Sequence, residues 1–113
     1  MTAILISREK LDYVSRQTNK PIKGWKFHFL KDKRNPSESF KGYEVGDGFL
    51  NESDANNAPL INELVHIVPG SRMELTYECD GRINFLTAIA GIDLVFDFSE
   101  PIKTVKGDDF IAI

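Results

Sequence analysis

Four cations, Arg16, Lys20, Lys23 and Lys26, fall between positions 16 and 26, interleaved with Tyr13 and Trp25. Lysine and arginine hold phosphate groups, and exposed aromatic rings stack on bases. Together they are the equipment for gripping a single nucleic-acid strand without reading its sequence. Lys41 and Tyr43 repeat the pairing of cation and ring two residues apart, and Arg82 adds a cation beside a second turn. The candidate nucleic-acid-binding set is therefore Tyr13, Arg16, Lys20, Lys23, Trp25, Lys26, Lys41, Tyr43 and Arg82. Lys31, Lys33 and Arg34 lie in a polar loop that could clamp a strand, although such runs are more often simply solvated.

The stretch YVSRQTNKPIKGWKFHFL must position the first of these residues. It reads as a β-hairpin with one strand ending near Val14, a turn through residues 17–21, and a return strand from about Trp25. Alternation along the return strand assigns Phe27 and Phe29 to the core and puts Lys26 on the opposite face. Net charge is −3, which alone argues against nucleic acid, but the distribution is uneven. Residues 1–43 carry ten bases against four acids, a local +6, while residues 44–113 carry a local −9. A ligand feels the local patch more than the total, because screening acts over about 8–10 Å at ordinary salt.

The 113 residues, 42% hydrophobic and 27% charged, predict one globular domain over 1–113. No apolar run is long enough for a transmembrane helix, and the N-terminus is charged too early for a signal peptide. The single Cys79 excludes an internal disulfide and points to the reducing cytoplasm.

Further strands are expected over residues 3–6, 40–45, 73–77 and 82–88, with another after Gly91 carrying Leu94, Phe96 and Phe98. Residues 7–10 read either as a helical turn or as extended chain. Gly46-Asp47-Gly48 reads as a break or bulge, 51–59 as a polar loop, 60–68 as a short helix stopped by Pro69-Gly70, and Asp80-Gly81 as a hairpin turn. The fold class is all-β with at most one short helix, as in a five-stranded antiparallel barrel of the oligonucleotide/oligosaccharide-binding (OB) type. Periodicity does not separate this from an SH3-like barrel.

Val14-Ser15-Arg16-Gln17, two turn residues and Lys20-Pro21 resemble the first hairpin of the single-stranded DNA-binding proteins of filamentous phages. Residues 11–30 carry the likeness; 69–96 follow the family only in pattern. The family commonly places an aromatic after its Lys-Pro turn, where this chain has Ile22. The resemblance implies a dimeric OB barrel coating single-stranded DNA in phage or plasmid replication, with Arg16 and Lys20 on phosphates and Trp25, Tyr13 or Tyr43 stacking bases. RNA is not distinguished, since backbone and stacking contacts serve both.

Residues 102–113 are a tail or a last strand. Their acidic, then apolar, ending is similar to the tip with which bacterial single-stranded DNA-binding proteins recruit replication partners. The rival reading is a small acidic protein-interaction module that binds no nucleic acid. An enzyme is not expected. His28 and His66 stand far apart without a second ligand at metal spacing, and Cys79 has no nearby base. Asp47, Asn51, Glu52 and Asp54 do not match the EF-hand pattern, and Gly46 and Gly48 lack a phosphate loop's Gly-Lys-Ser/Thr ending. No cofactor and no metal follow from the sequence.

Overall fold

The computed structural model describes residues 1–98. It contains strands β1 (Thr2–Val14), β2 (Pro21–Lys31), β3 (Glu44–Asn51), β4 (Ser71–Asp80) and β5 (Ile83–Leu94). Between β3 and β4 lie a 3-10 turn (Ala55–Asn57) and one helix, α1 (Ala58–Leu64). All strand pairs are antiparallel, in the order β3-β2-β1-β4-β5. The protein is mainly β, as its alternating pattern demands. Its two end strands, β3 and β5, do not pair with each other, so the sheet is not a closed barrel.

One face of the sheet carries the core. Ala3, Leu5, Phe27, Phe29, Leu50, Met73, Leu75 and Ile89 are buried there beneath Leu60, Leu64 and Ile67 of the helical segment. Burying each such aliphatic or aromatic side chain contributes about 1.5–3 kcal/mol. Asp54 opens the helical segment by accepting a hydrogen bond from the Asn56 amide (3.0 Å), and Pro59 occupies its first turn. The regular helix therefore begins inside the expected 51–59 loop, overlaps the expected 60–68 span and ends at Leu64, four residues short of that span's end. Ile67 is buried from the turn that follows.

Residues 7–10 are extended, so β1 is a single strand, but its register slips once. Leu5 pairs with Phe29 and Ser7 with His28, leaving Ile6 as the extra residue of a bulge. Before the bulge the odd positions Ala3 and Leu5 face the core. Beyond it Arg8 lies opposite the buried Phe27, so the even positions take that side and Glu9, Leu11 and Tyr13 turn outward.

Gly46 and Gly48 do not break β3, contrary to the expectation. They are seats for aromatic rings on the neighbouring strand. A Cβ on Gly46 would lie 2.5 Å from Phe29 Cζ, and one on Gly48 would lie 2.6 Å from Phe27 Cε1. Residues 40–43, expected as strand, are loop: Phe40 closes a turn onto the Ser37 carbonyl (3.0 Å), and Gly42 has φ +102°. Gly91 does not divide β5 either. Its missing side chain admits Ile67, whose Cγ1 would lie 3.2 Å from a Cβ there, and the strand runs on to Leu94. Val95 to Phe98 fall outside any strand. The Asp80-Gly81 turn is as expected, with Gly81 at φ +66°. The expected tail or strand over 102–113 lies outside the described residues.

Candidate nucleic-acid interface

The β1–β2 hairpin carries six of the nine sequence-selected residues in its outer half. Its turn is closed by two backbone bonds, Ser15 amide to Lys20 carbonyl (2.9 Å) and Asn19 amide to Ser15 carbonyl (2.8 Å). Asn19 takes a positive φ of 56°, a conformation asparagine tolerates. Arg16 and Lys20 are exposed on this turn, and Lys23 is exposed opposite Asp12. None of the three makes an ion pair among the described residues, and neither does Lys26. Other cations of the basic half are engaged. Arg8 Nε donates to the Ile67 carbonyl (3.2 Å), Lys10 lies 3.7 Å from Glu52, and the Lys33 ammonium sits 4.6 Å over the Phe40 ring.

Cross-strand partners share a face, so the register assigns the side turned away from the helix. Three successive rows run Tyr13–Ile22, then Leu11–Gly24–Asn51, then Glu9–Lys26–Phe49. Tyr13 is 52% exposed and Phe49 44% exposed, while Leu11 and Ile22 are half-buried between them. The Phe49 ring lies over Gly24, where a Cβ would come within 2.6 Å of Phe49 Cζ. The surface is thus an apolar strip ending in two exposed rings, with Lys26 at one end and Arg16 and Lys20 beyond the other.

Trp25 stands elsewhere. It shares the face of Phe27 and packs half-buried against the core. Lys41 and Tyr43 are exposed in the loop before β3, at the end of β2 remote from the hairpin turn, and Arg82 is exposed on the β4–β5 turn. The structure therefore gathers Tyr13, Arg16, Lys20 and Lys26 around the strip, places Lys23 on the same hairpin but on the face of Trp25, and sets Trp25, Lys41, Tyr43 and Arg82 apart. Phe49 was not among the sequence candidates. Its role follows from lying across from Lys26 and diagonal to Gly24, and that pairing has no signature within β3 itself.

The remaining polar groups serve local structure. Asn51 Oδ1 accepts bonds from the Ser53 amide (3.0 Å) and hydroxyl (2.8 Å). Ser7 Oγ and His28 Nδ1 share a hydrogen bond of 3.3 Å, and His66 Nδ1–H donates to the Asn62 carbonyl (2.6 Å). The exposed Cys79 thiol donates to the Gly81 carbonyl (3.1 Å). Among the described residues no three His, Cys, Asp or Glu side chains gather as a metal site. Nor is any helix there long and apolar enough to cross a membrane.

Two surface carboxylates are held below the usual range. Glu74 accepts from the N-terminal ammonium and from Thr2, and Asp93 is bonded by Arg72 in a two-pronged pair at 2.7 Å. Partial burial raises the Tyr77 phenol. These groups brace the sheet and lie outside the Tyr13–Phe49 strip. No protein-family model, curated protein or solved structure matches this chain.

Proposed function

We propose that this protein binds single-stranded nucleic acid, DNA in the first instance, without sequence preference and in the setting of phage or plasmid replication. The observation that carries the reading is the coincidence of unpaired Arg16, Lys20, Lys23 and Lys26 with the exposed Tyr13 and Phe49 rings on one hairpin and its neighbour. The cations hold phosphates, and the rings stack on bases at about 1–3 kcal/mol each. The half-buried Trp25 supports the strip from the core side. The resemblance of residues 14–21 to the hairpin of the filamentous-phage proteins points the same way. Pairing of two copies and recruitment of a replication partner through residues 102–113 belong to this reading as well.

Salt dependence tests it. Each phosphate contact on a single strand adds about −0.7 to the slope of log affinity against log salt, so four cations give roughly −2.8. Affinity for oligo-dT then falls about 50-fold between 50 and 200 mM salt by the same relation. Arg16→Ala with Lys20→Ala should halve the slope and reduce that fall to about 7-fold. An unchanged slope in the double variant would show that the hairpin does not hold the phosphates.

A further inference from the structure

The sheet is open between β3 and β5, and the opening is a cavity. A cleft of about 660 Å³ separates β3 from β5, with the 3-10 turn and the start of α1 along its side. Its lining includes four consecutive residues of β3, 47–50, and four consecutive residues of β5, 84–87. A cavity against the face of a strand touches alternate residues, because side chains point to opposite sides in turn. Runs of consecutive residues mean that the cleft looks onto the two strand edges, where the ladder of the described residues ends.

Both edges are lightly guarded: β3 and β5 contain no lysine and no proline, β3 carries Glu44 and Asp47, and a register shift leaves Thr87 as a bulge in β5. The walls offer what a peptide would use: exposed Tyr77 and Phe85 for apolar side chains, and the amides of Asn56 and Asn84 for hydrogen bonds. Its charged lining residues among those described are Asp47 and Asp54, both exposed, and no described Lys or Arg lines it. A phosphate backbone would be repelled there; a cationic chain would be drawn in.

We propose that the cleft between β3 and β5 is a docking slot for an extended, positively charged peptide from another protein, which adds as a strand to the open edges. A folded second copy does not fit. Pairing these same edges between two copies would set Asp47 and Asp54 of one against Asp47 and Asp54 of the other. The occupant must be a free segment. At about 3.3 Å per residue, the four lining positions on each strand match roughly four residues of it, bound through main-chain bonds with side-chain pockets setting preference. The slot shares Phe49 with the nucleic-acid strip, whereas the cations of the hairpin turn, Arg16 and Lys20, do not line it.

The test uses the full chain, free of nucleic acid, and a fluorescein-labelled twelve-residue peptide alternating Lys and Val, followed by anisotropy. Saturable binding is expected. It should weaken at least tenfold when alternate Val amides are N-methylated, and comparably in the Asp47→Lys, Asp54→Asn variant, where Asn keeps the turn's acceptor. A Glu–Val peptide should not bind. Equal binding of the Glu–Val peptide, indifference to N-methylation, or no saturable binding at all would overturn the proposal. Tighter binding of a peptide of residues 103–113 would also overturn it, by making the chain's own tail the occupant. The Arg16→Ala, Lys20→Ala hairpin variant should leave peptide binding unchanged, and loss of peptide binding in it would overturn the proposal by placing the peptide on the hairpin.

Discussion

Replacing Gly48 with alanine adds one methyl group at a tightly constrained contact between β2 and β3. The new Cβ would stand 2.6 Å from Phe27 Cε1, about 1 Å inside ordinary carbon–carbon contact of roughly 3.5–4.0 Å. Phe27 is only 1% exposed and cannot swing into solvent. It cannot slide along the row either, because its ring stacks on Phe29 at 5.8 Å and Phe29 is seated in the same way over Gly46. Overpacking of this kind costs about 1–3 kcal/mol, partly offset by the roughly 0.5–1 kcal/mol that alanine gains over glycine within a strand. The expected net loss is about 1–2 kcal/mol, or a fall of roughly 4–10 °C in Tm for a domain of this size. Urea unfolding followed by circular dichroism measures it. Phe27→Leu removes the ring and is destabilising by itself, but in combination with Gly48→Ala the penalties should be less than additive by about 1 kcal/mol. A Gly48→Ala protein as stable as the parent, or strict additivity of the two changes, would refute the ring-on-glycine account of β3.

The other expectations concern charge and stacking. Asp93 is held below its usual range by the Arg72 hydrogen bond and then by its charge, so it favours the folded state above the unfolded carboxylate's pKa, and that contribution is lost as pH falls through the lower folded value. Asp93→Asn should therefore flatten the acid-side decline of the urea midpoint while changing little at neutral pH beyond a small, salt-sensitive loss, since both side chains are about half exposed. Tyr13→Ala and Phe49→Ala should each weaken oligo-dT binding by roughly 5-fold or more at fixed salt and leave the salt slope intact, as removal of a stacking ring does. Anisotropy titrations at two salt concentrations separate this from lost phosphate contacts, and a thermal melt of each variant checks that the strip is still folded.

The elements legible in the sequence were those whose signal is local. Met73, Leu75 and Tyr77 alternate with polar residues, Asp80-Gly81 marks a turn, and Phe27 and Phe29 fall on the buried side of their strand as the period of two requires. The basic hairpin was legible for the same reason, since its turn chemistry and its cations lie within a dozen residues. The glycines misled. Gly46, Gly48 and Gly91 read as interruptions from composition, whereas each makes room for a side chain that arrives from another element: Phe29, Phe27 and Ile67. Nothing near a glycine in sequence says which ring will lie over it.

What the sequence by itself determined is a mainly β chain with a basic, aromatic first hairpin and an acidic remainder. Alternation, turn residues and charge are properties of neighbouring positions, and they survive without knowledge of partners. Tertiary structure alone decided which rings reach solvent. The extra residue at Ile6 exchanges the two faces of β1, turning Leu11 and Tyr13 outward and bringing Arg8 and Lys10 to the core side. Pairing with β2 then places Phe49 over Gly24, beside Lys26, and leaves Trp25 against the core. The open line between β3 and β5 is equally a matter of assembly. Whether an edge stays unpaired depends on how far the whole sheet coils, and that is set by bulges and packing spread over every strand.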